Sequence, residues 1–98
     1  MNISIEQAAH DYIMKKDRNK AITLTVARRP GSCWGGGREV RLPSVRLGID
    51  EEKRYAYQQV HIEGITVFYA DSVFESFPTI SVKLEKILFF KRLVATAK

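Results

Sequence analysis

The residues best suited to chemistry in this 98-residue chain sit close together, in the stretch Arg29-Pro30-Gly31-Ser32-Cys33-Trp34-Gly35-Gly36-Gly37-Arg38. It contains the only cysteine and the only tryptophan. A thiol reacts and binds metal as its thiolate, and nearby cations favour that form. Arg28, Arg29 and Arg38 frame Cys33 and supply the cations, with Arg41 just beyond. Gly31, Gly35, Gly36 and Gly37 free the backbone to turn its N–H groups inward as an anion nest. A loop of this kind suits a persulfide, a phosphate-bearing thiol or another small anion. A plainer reading stands beside it. The glycines then serve a long hairpin connection, Cys33 fills space as a small apolar side chain, and Trp34 anchors packing.

Charge sharpens the picture. The chain carries a net +5. Between Arg28 and Arg46 lie five arginines and a single acid, Glu39, so most of the excess sits around the loop. Arginine rather than lysine throughout this window favours planar, bidentate contact with anions. A solvated strand face that resists edge aggregation is the alternative. The arginine-rich hairpin, +4 from Arg28 to Arg46, with Trp34 at its tip and Tyr55 and Tyr57 nearby, also suits phosphate and base contacts, although no nucleic-acid-binding motif is present. Salt separates these readings, because phosphate neutralisation weakens steeply as salt rises.

Other ligands are scarce. His10 and His61 read as polar-face residues of a helix and a strand. No Cys-x-x-Cys or His-x-x-x-His exists for a structural zinc site. No histidine neighbours Cys33 as a base, so a thiol-dependent redox protein is a lesser alternative and no enzyme is expected. A lone cysteine excludes an internal disulfide. With no basic-then-apolar leader and no apolar run near the roughly 20 residues of a span, the chain is expected to be cytoplasmic and to have no membrane partner.

The elements that must position the loop follow from periodicity. Residues 3–17 read as a helix, with Ser4 as N-cap and Gln7 three residues on. Ile5, Ala8, Ala9, Tyr12 and Ile13 form its apolar stripe. Ile22, Leu24 and Val26 then alternate with threonines, which marks a half-buried strand. Val40 and Leu42 alternate after the loop, and the parity flips at Pro43, which predicts a bulge or an edge position. By this parity Arg28 and Arg38 both point to the core side, at the mouth of the loop. Residues 55–62 read as a third strand and Glu63-Gly64 as a tight turn into residues 65–70. Residues 71–78 are irregular, with one helical turn capped by Asp71 or Ser72. Ile80, Val82 and Leu84 alternate again. Residues 87–95, apolar on both faces at Leu88, Phe89 and Phe90, read as a central or covered strand. A 45% hydrophobic share and 98 residues fit a single domain, 1–98, of α+β class, mainly β: an N-terminal helix followed by a compact mixed or antiparallel β-sandwich or distorted barrel.

The order of these segments resembles a known family. Residues 3–13 spell I-S-I-E-Q-A-A-x-x-x-I, followed by Leu24-x-Val26, by Gly31-x-Cys33-x-Gly35, and by V-x-x-x-G-I-x-V-F from Val60 to Phe68. This is similar to the HesB/IscA family of A-type iron–sulfur cluster carriers, over roughly residues 3 to 95. The resemblance implies a HesB-like fold and a homo-oligomer. It also implies labile binding of an iron–sulfur cluster, iron or sulfur, with a cluster or iron shared across a dimer, and iron–sulfur or sulfur-transfer proteins as partners. The family's three cysteines lie on the loop after the second strand and in a C-terminal Cys-x-Cys. Cys33 holds the loop position, and the chain closes Leu-Val-Ala-Thr-Ala-Lys with no cysteine after it. The chain therefore resembles a divergent member, and binding no cofactor at all stays open. It also resembles small proteins with a Cys-Cys or Cys-selenocysteine pair at this loop, where Ser32 and Cys33 stand.

Overall fold

A computed structural model describes residues 2–29 and 40–97; the side chains of Arg29 and Val40 are not among those described. Strand β1 (Asn2–Ile5) precedes helix α1 (Gln7–Lys16), and β2 (Ala21–Arg29) and β3 (Val40–Leu47) follow. A short 3-10 turn (Arg54–Ala56) leads to β4 (Gln58–Ile62), β5 (Ile65–Tyr69), helix α2 (Asp71–Ser76), β6 (Thr79–Ile87) and β7 (Phe90–Ala97). The strands form two mixed sheets, ordered β3-β2-β5-β4 and β1-β6-β7. Strand β3 lies against β7 and links the sheets on one side. The fold is therefore the expected one, mainly β with a helix near the N-terminus.

One apolar cluster joins the layers. Ile22 and Leu24 of β2, Ile65 and Val67 of β5, and Ile80 and Val82 of β6 are all fully buried, with Ala9 and Ile13 of α1 and Val73 of α2 closing on them. Fully burying an aliphatic side chain contributes roughly 1.5–3 kcal/mol, so this alternation is what commits the strands to their faces. The second face of the four-stranded sheet is covered in part by the segment after β3. Thr23 lies there, 1% exposed, and its hydroxyl donates to the Gly48 carbonyl at 2.6 Å.

Four expectations need correction. The helix does not begin at residue 3. Ile3 and Ile5 lie two apart as well as on a helical stripe, and β1 uses the former spacing to pair in parallel with β6. Ser4 is thus a strand residue whose hydroxyl donates to Ser81 at 3.3 Å, and Glu6 takes the N-cap position without a side-chain cap. At Pro43 the expected edge position holds, without a bulge, since β3 is an outer strand and the β2–β3 register runs unbroken from Ile22↔Leu47 to Arg29↔Val40. The Gly48 N–H donates to the Ala21 carbonyl at 2.8 Å. Counting in twos from that bonded pair puts Val26↔Pro43 at a non-bonded position on an edge strand, where a missing N–H costs the ladder nothing. The third strand starts at Gln58, after the 3-10 turn, and Ala70 rather than Asp71 or Ser72 takes the N-cap position of α2. Finally, residues 87–95 are not one covered strand: β6 ends at Ile87, Leu88 and Phe89 make an exposed turn, and β7 is an outer strand covered only from Leu93 onward.

Candidate functional site

Cys33, Gly31, Gly35, Gly36, Gly37 and Arg38 lie outside the described residues. The structure defines the root from which their loop springs. Strand β2 delivers its last residues, Arg28 and Arg29, opposite Arg41 and Val40 of β3. Residues paired across an antiparallel ladder share a face. Arg28 and Arg41 therefore stand on one side together, on the face that carries Ile22, Leu24 and Val26 further down β2 and Leu47 and Val45 down β3.

This register confirms one part of the parity argument and overturns another. Arg28 does lie on the core-side face, but it is exposed, because the buried stretch ends lower in the strand at Leu24. Leu42 does not share that face. It pairs with Ala27 on the opposite one and is 38% exposed. Arg41 takes the core-side position instead. The apolar look of Val40 and Leu42 misled the parity count, since position in the ladder and not side-chain type decides the face.

Two like charges directly opposite each other destabilise a sheet. Counted from the Ala21–Gly48 bond, Arg28↔Arg41 is a non-hydrogen-bonded pair, the closer of the two kinds, with Cα atoms about 4.5 Å apart. Both residues stand at the root of the segment that carries Cys33, which follows Arg28 by five residues. Arg46, paired with Thr23, faces the other way. The arginine window is thus divided by the pleat, with only part of it directed to the loop root.

The histidines stand at the far end. His61 of β4 pairs with Thr66 of β5, which is level with Ala21 at the start of β2. Ala21 to Arg28 is seven strand residues, or about 23 Å. His61 is exposed, with Nδ1 3.1 Å from the Thr66 hydroxyl oxygen. His10 donates from Nε2 to the Glu63 carbonyl at 2.8 Å, which ties α1 to the β4–β5 turn. Its Nδ1 is buried without a hydrogen bond and lies 3.7 Å from the Asp11 carboxylate. Neither ring belongs to the loop root. Among the described residues, no group of three or more His, Cys, Asp or Glu side chains could hold a metal ion. A cluster normally takes four protein ligands, mostly thiolates. One chain brings one thiolate, so its residues do not make a complete cluster site within the chain.

A polar hollow of about 280 Å³, missed in the sequence, opens on the outer face of the four-stranded sheet between Asn19, Arg54, Gln59 and His61. The Arg54 guanidinium sits 5.9 Å above the Phe68 ring and closes its apolar side. Its only sequence signal was the outward parity of Gln59, His61 and Thr66. The covering segment around residues 48–57 had no period to place it.

The sequence pattern of the CC/Se motif containing family matches residues 1–98. No curated protein matches the chain in sequence. Among solved structures, Escherichia coli SufA, involved in biosynthesis of iron–sulfur clusters, superposes with a TM-score of 0.57 at 9% identity, covering 98% of this chain and 80% of its own. IscA, solved with a 2Fe-2S cluster, superposes with a TM-score of 0.63 at 14% identity, covering 97% of this chain and 84% of its own. At these identities the likeness is one of fold. No helix among the described residues is long and apolar enough to cross a membrane.

Proposed function

Because this chain belongs to the CC/Se motif containing family and shares the fold of SufA and IscA, we propose that it is a non-enzymatic sulfur-handling protein with Cys33 as its single working thiolate. The observation that carries the reading is the set of arginines around Cys33 in sequence, with Arg28 and Arg41 on one face at the strand ends that flank it. Arginine side chains at the root of the loop favour an anionic group near them. A thiolate or a persulfide is such a group.

What one chain can hold unaided is sulfur on Cys33. The thiolate attacks a donor persulfide, R–S–SH, at its outer sulfur; a new S–S bond forms on Cys33 and the donor leaves as its thiolate, R–S⁻. An iron–sulfur cluster or iron, as cargo, needs a second copy to bring a second thiolate, with a small thiol or a partner protein filling the remaining positions. A homo-oligomer and iron–sulfur or sulfur-transfer partners belong to this proposal. The IscA structure holds a 2Fe-2S cluster on the same fold, which supports the cargo class.

Anaerobic reconstitution with iron and sulfide, followed by visible absorbance, on wild type beside Cys33→Ser tests the reading. Persulfide labelling after exposure to a persulfide donor runs in parallel. Colour or persulfide on wild type alone supports Cys33. Colour retained in Cys33→Ser, or neither signal in wild type, overturns it.

A further inference from the structure

The end of the β6–β7 hairpin breaks three local rules at once. Its two-residue turn is Leu88-Phe89, with Leu88 at φ 49°. Tight hairpin turns favour Gly, Asn and Asp at such angles, and leucine there is strained. The turn is also apolar in full solvent: Leu88 is 91% exposed, Phe89 100% and the adjacent Phe90 58%. One residue behind the apolar tip, Lys86 stands directly opposite Lys91, another pair of like charges. Only one step further back does the ladder return to order, with Arg92 donating to Glu85 at 3.2 Å.

Nothing within the described residues compensates for this arrangement. The tip overhangs a groove of about 660 Å³ against α1, with Tyr12, Leu84 and Phe90 as apolar walls. Lys15 and Lys16 of α1 line it opposite Lys86 and Lys91. Among the described residues none of these four lysines is ion-paired. The nearest acid in the groove, Asp11, is already occupied: it accepts from Gln7 Nε2 at 2.9 Å and lies 3.7 Å from His10 Nδ1.

We propose that this end of the molecule docks on an anionic lipid bilayer, with Leu88, Phe89 and Phe90 entering the interface and Lys15, Lys16, Lys86 and Lys91 meeting the phosphates. Charge complementarity excludes a second copy seated face to face, which would oppose ammonium groups to ammonium groups. The order along the hairpin selects lipid over an acidic protein. Apolar tip, cation ring and neutral ion pair succeed one another from the apex inward, as hydrocarbon, headgroup and water do across a bilayer boundary. A convex, fully exposed phenylalanine needs a matching pocket in a protein partner, whereas a fluid interface takes it without one. The sequence expectation of no membrane partner rested on the lack of a span, and surface attachment requires none.

The test is flotation of the full chain with phosphatidylcholine vesicles, with and without phosphatidylserine. Wild type is expected to float with phosphatidylserine vesicles and to be released by high salt. Lys86→Gln/Lys91→Gln is expected to weaken binding about 25-fold, at about fivefold per charge. Leu88→Gly/Phe89→Ser relaxes the turn, so it is expected to fold at least as stably as wild type and to lose the vesicles. Cys33→Ser is expected to float as wild type does, which keeps this result separate from the loop chemistry. No flotation, equal flotation with phosphatidylcholine alone, or an unimpaired tip variant overturns the proposal. Retention on poly-glutamate in place of vesicles overturns it also and assigns the surface to an acidic protein.

Discussion

Arg28 and Arg41 stand directly opposite each other on one face of the β2–β3 hairpin, the last pair with described side chains before the loop that bears Cys33. Like charges so placed cost a sheet stability, up to about 1 kcal/mol. Arg28 has a further interaction partner, and both arginines stand at the strand ends nearest Cys33 in sequence, where cations favour the thiolate form.

Arg41→Gln tests that link. Removing one charge at this exposed position is expected to change stability by no more than about 0.5 kcal/mol in urea unfolding. It is also expected to slow alkylation of Cys33 at neutral pH several-fold, as the thiolate loses a cation. An alkylation rate equal to wild type would disconnect the loop root from the thiol.

The outer face of β2 carries a second prediction. Thr23 is as buried as the core aliphatics, and its hydroxyl is hydrogen-bonded to the Gly48 carbonyl at 2.6 Å. Thr23→Val keeps the shape and leaves that carbonyl without its donor. A loss of about 1–3 kcal/mol is expected in thermal or urea unfolding. Thr25→Val, two residues on at a half-buried position, is expected to cost less than Thr23→Val.

Thr23 also shows what the sequence reveals and what it hides. Alternation correctly placed Ile22 and Leu24 inside, but it assigned Thr23 to solvent, because a strand's own period cannot report a loop laid over its second face. The helical stripe was right for Ala9 and Ile13, which are fully buried, and wrong for Ile5, whose spacing from Ile3 serves a strand equally well. Glu63-Gly64 was legible as a turn because glycine marks it. Leu88-Phe89 was not, because its residues are those of a buried strand. Of the candidate site, the alternation of β2 identified the core-side face for Arg28, while the face of Arg41 depended on cross-strand register, which no single strand encodes.

The β4–β5 turn offers a cleaner check on backbone conformation. Glu63 and Gly64 both have positive φ, 49° and 82°. Glutamate resists that region and asparagine tolerates it. Glu63→Asn is expected to stabilise by about 0.5 kcal/mol, and Gly64→Ala to destabilise by about 1 kcal/mol or more. His10→Ala removes the side chain that bonds the Glu63 carbonyl and is expected to cost about 1 kcal/mol. Urea midpoints at constant slope decide all three.

The stoichiometry of any metal cargo follows from the ligand count. Each chain brings one thiolate, and His61 stands about 23 Å of strand away from the loop root. On the proposed reading, a bound cluster bridges two chains through their Cys33 side chains. Reconstituted protein is expected to elute as a dimer whose colour runs with the larger species, at one cluster for two chains. Stripping the iron with a chelator should bleach the sample and remove the cluster's contribution to dimer stability, so that dilution yields more monomer than before. Cys33→Ser is expected to stay colourless at every concentration. A coloured monomer would require ligands that this chain does not bring to the loop, and would break the link between cargo and Cys33.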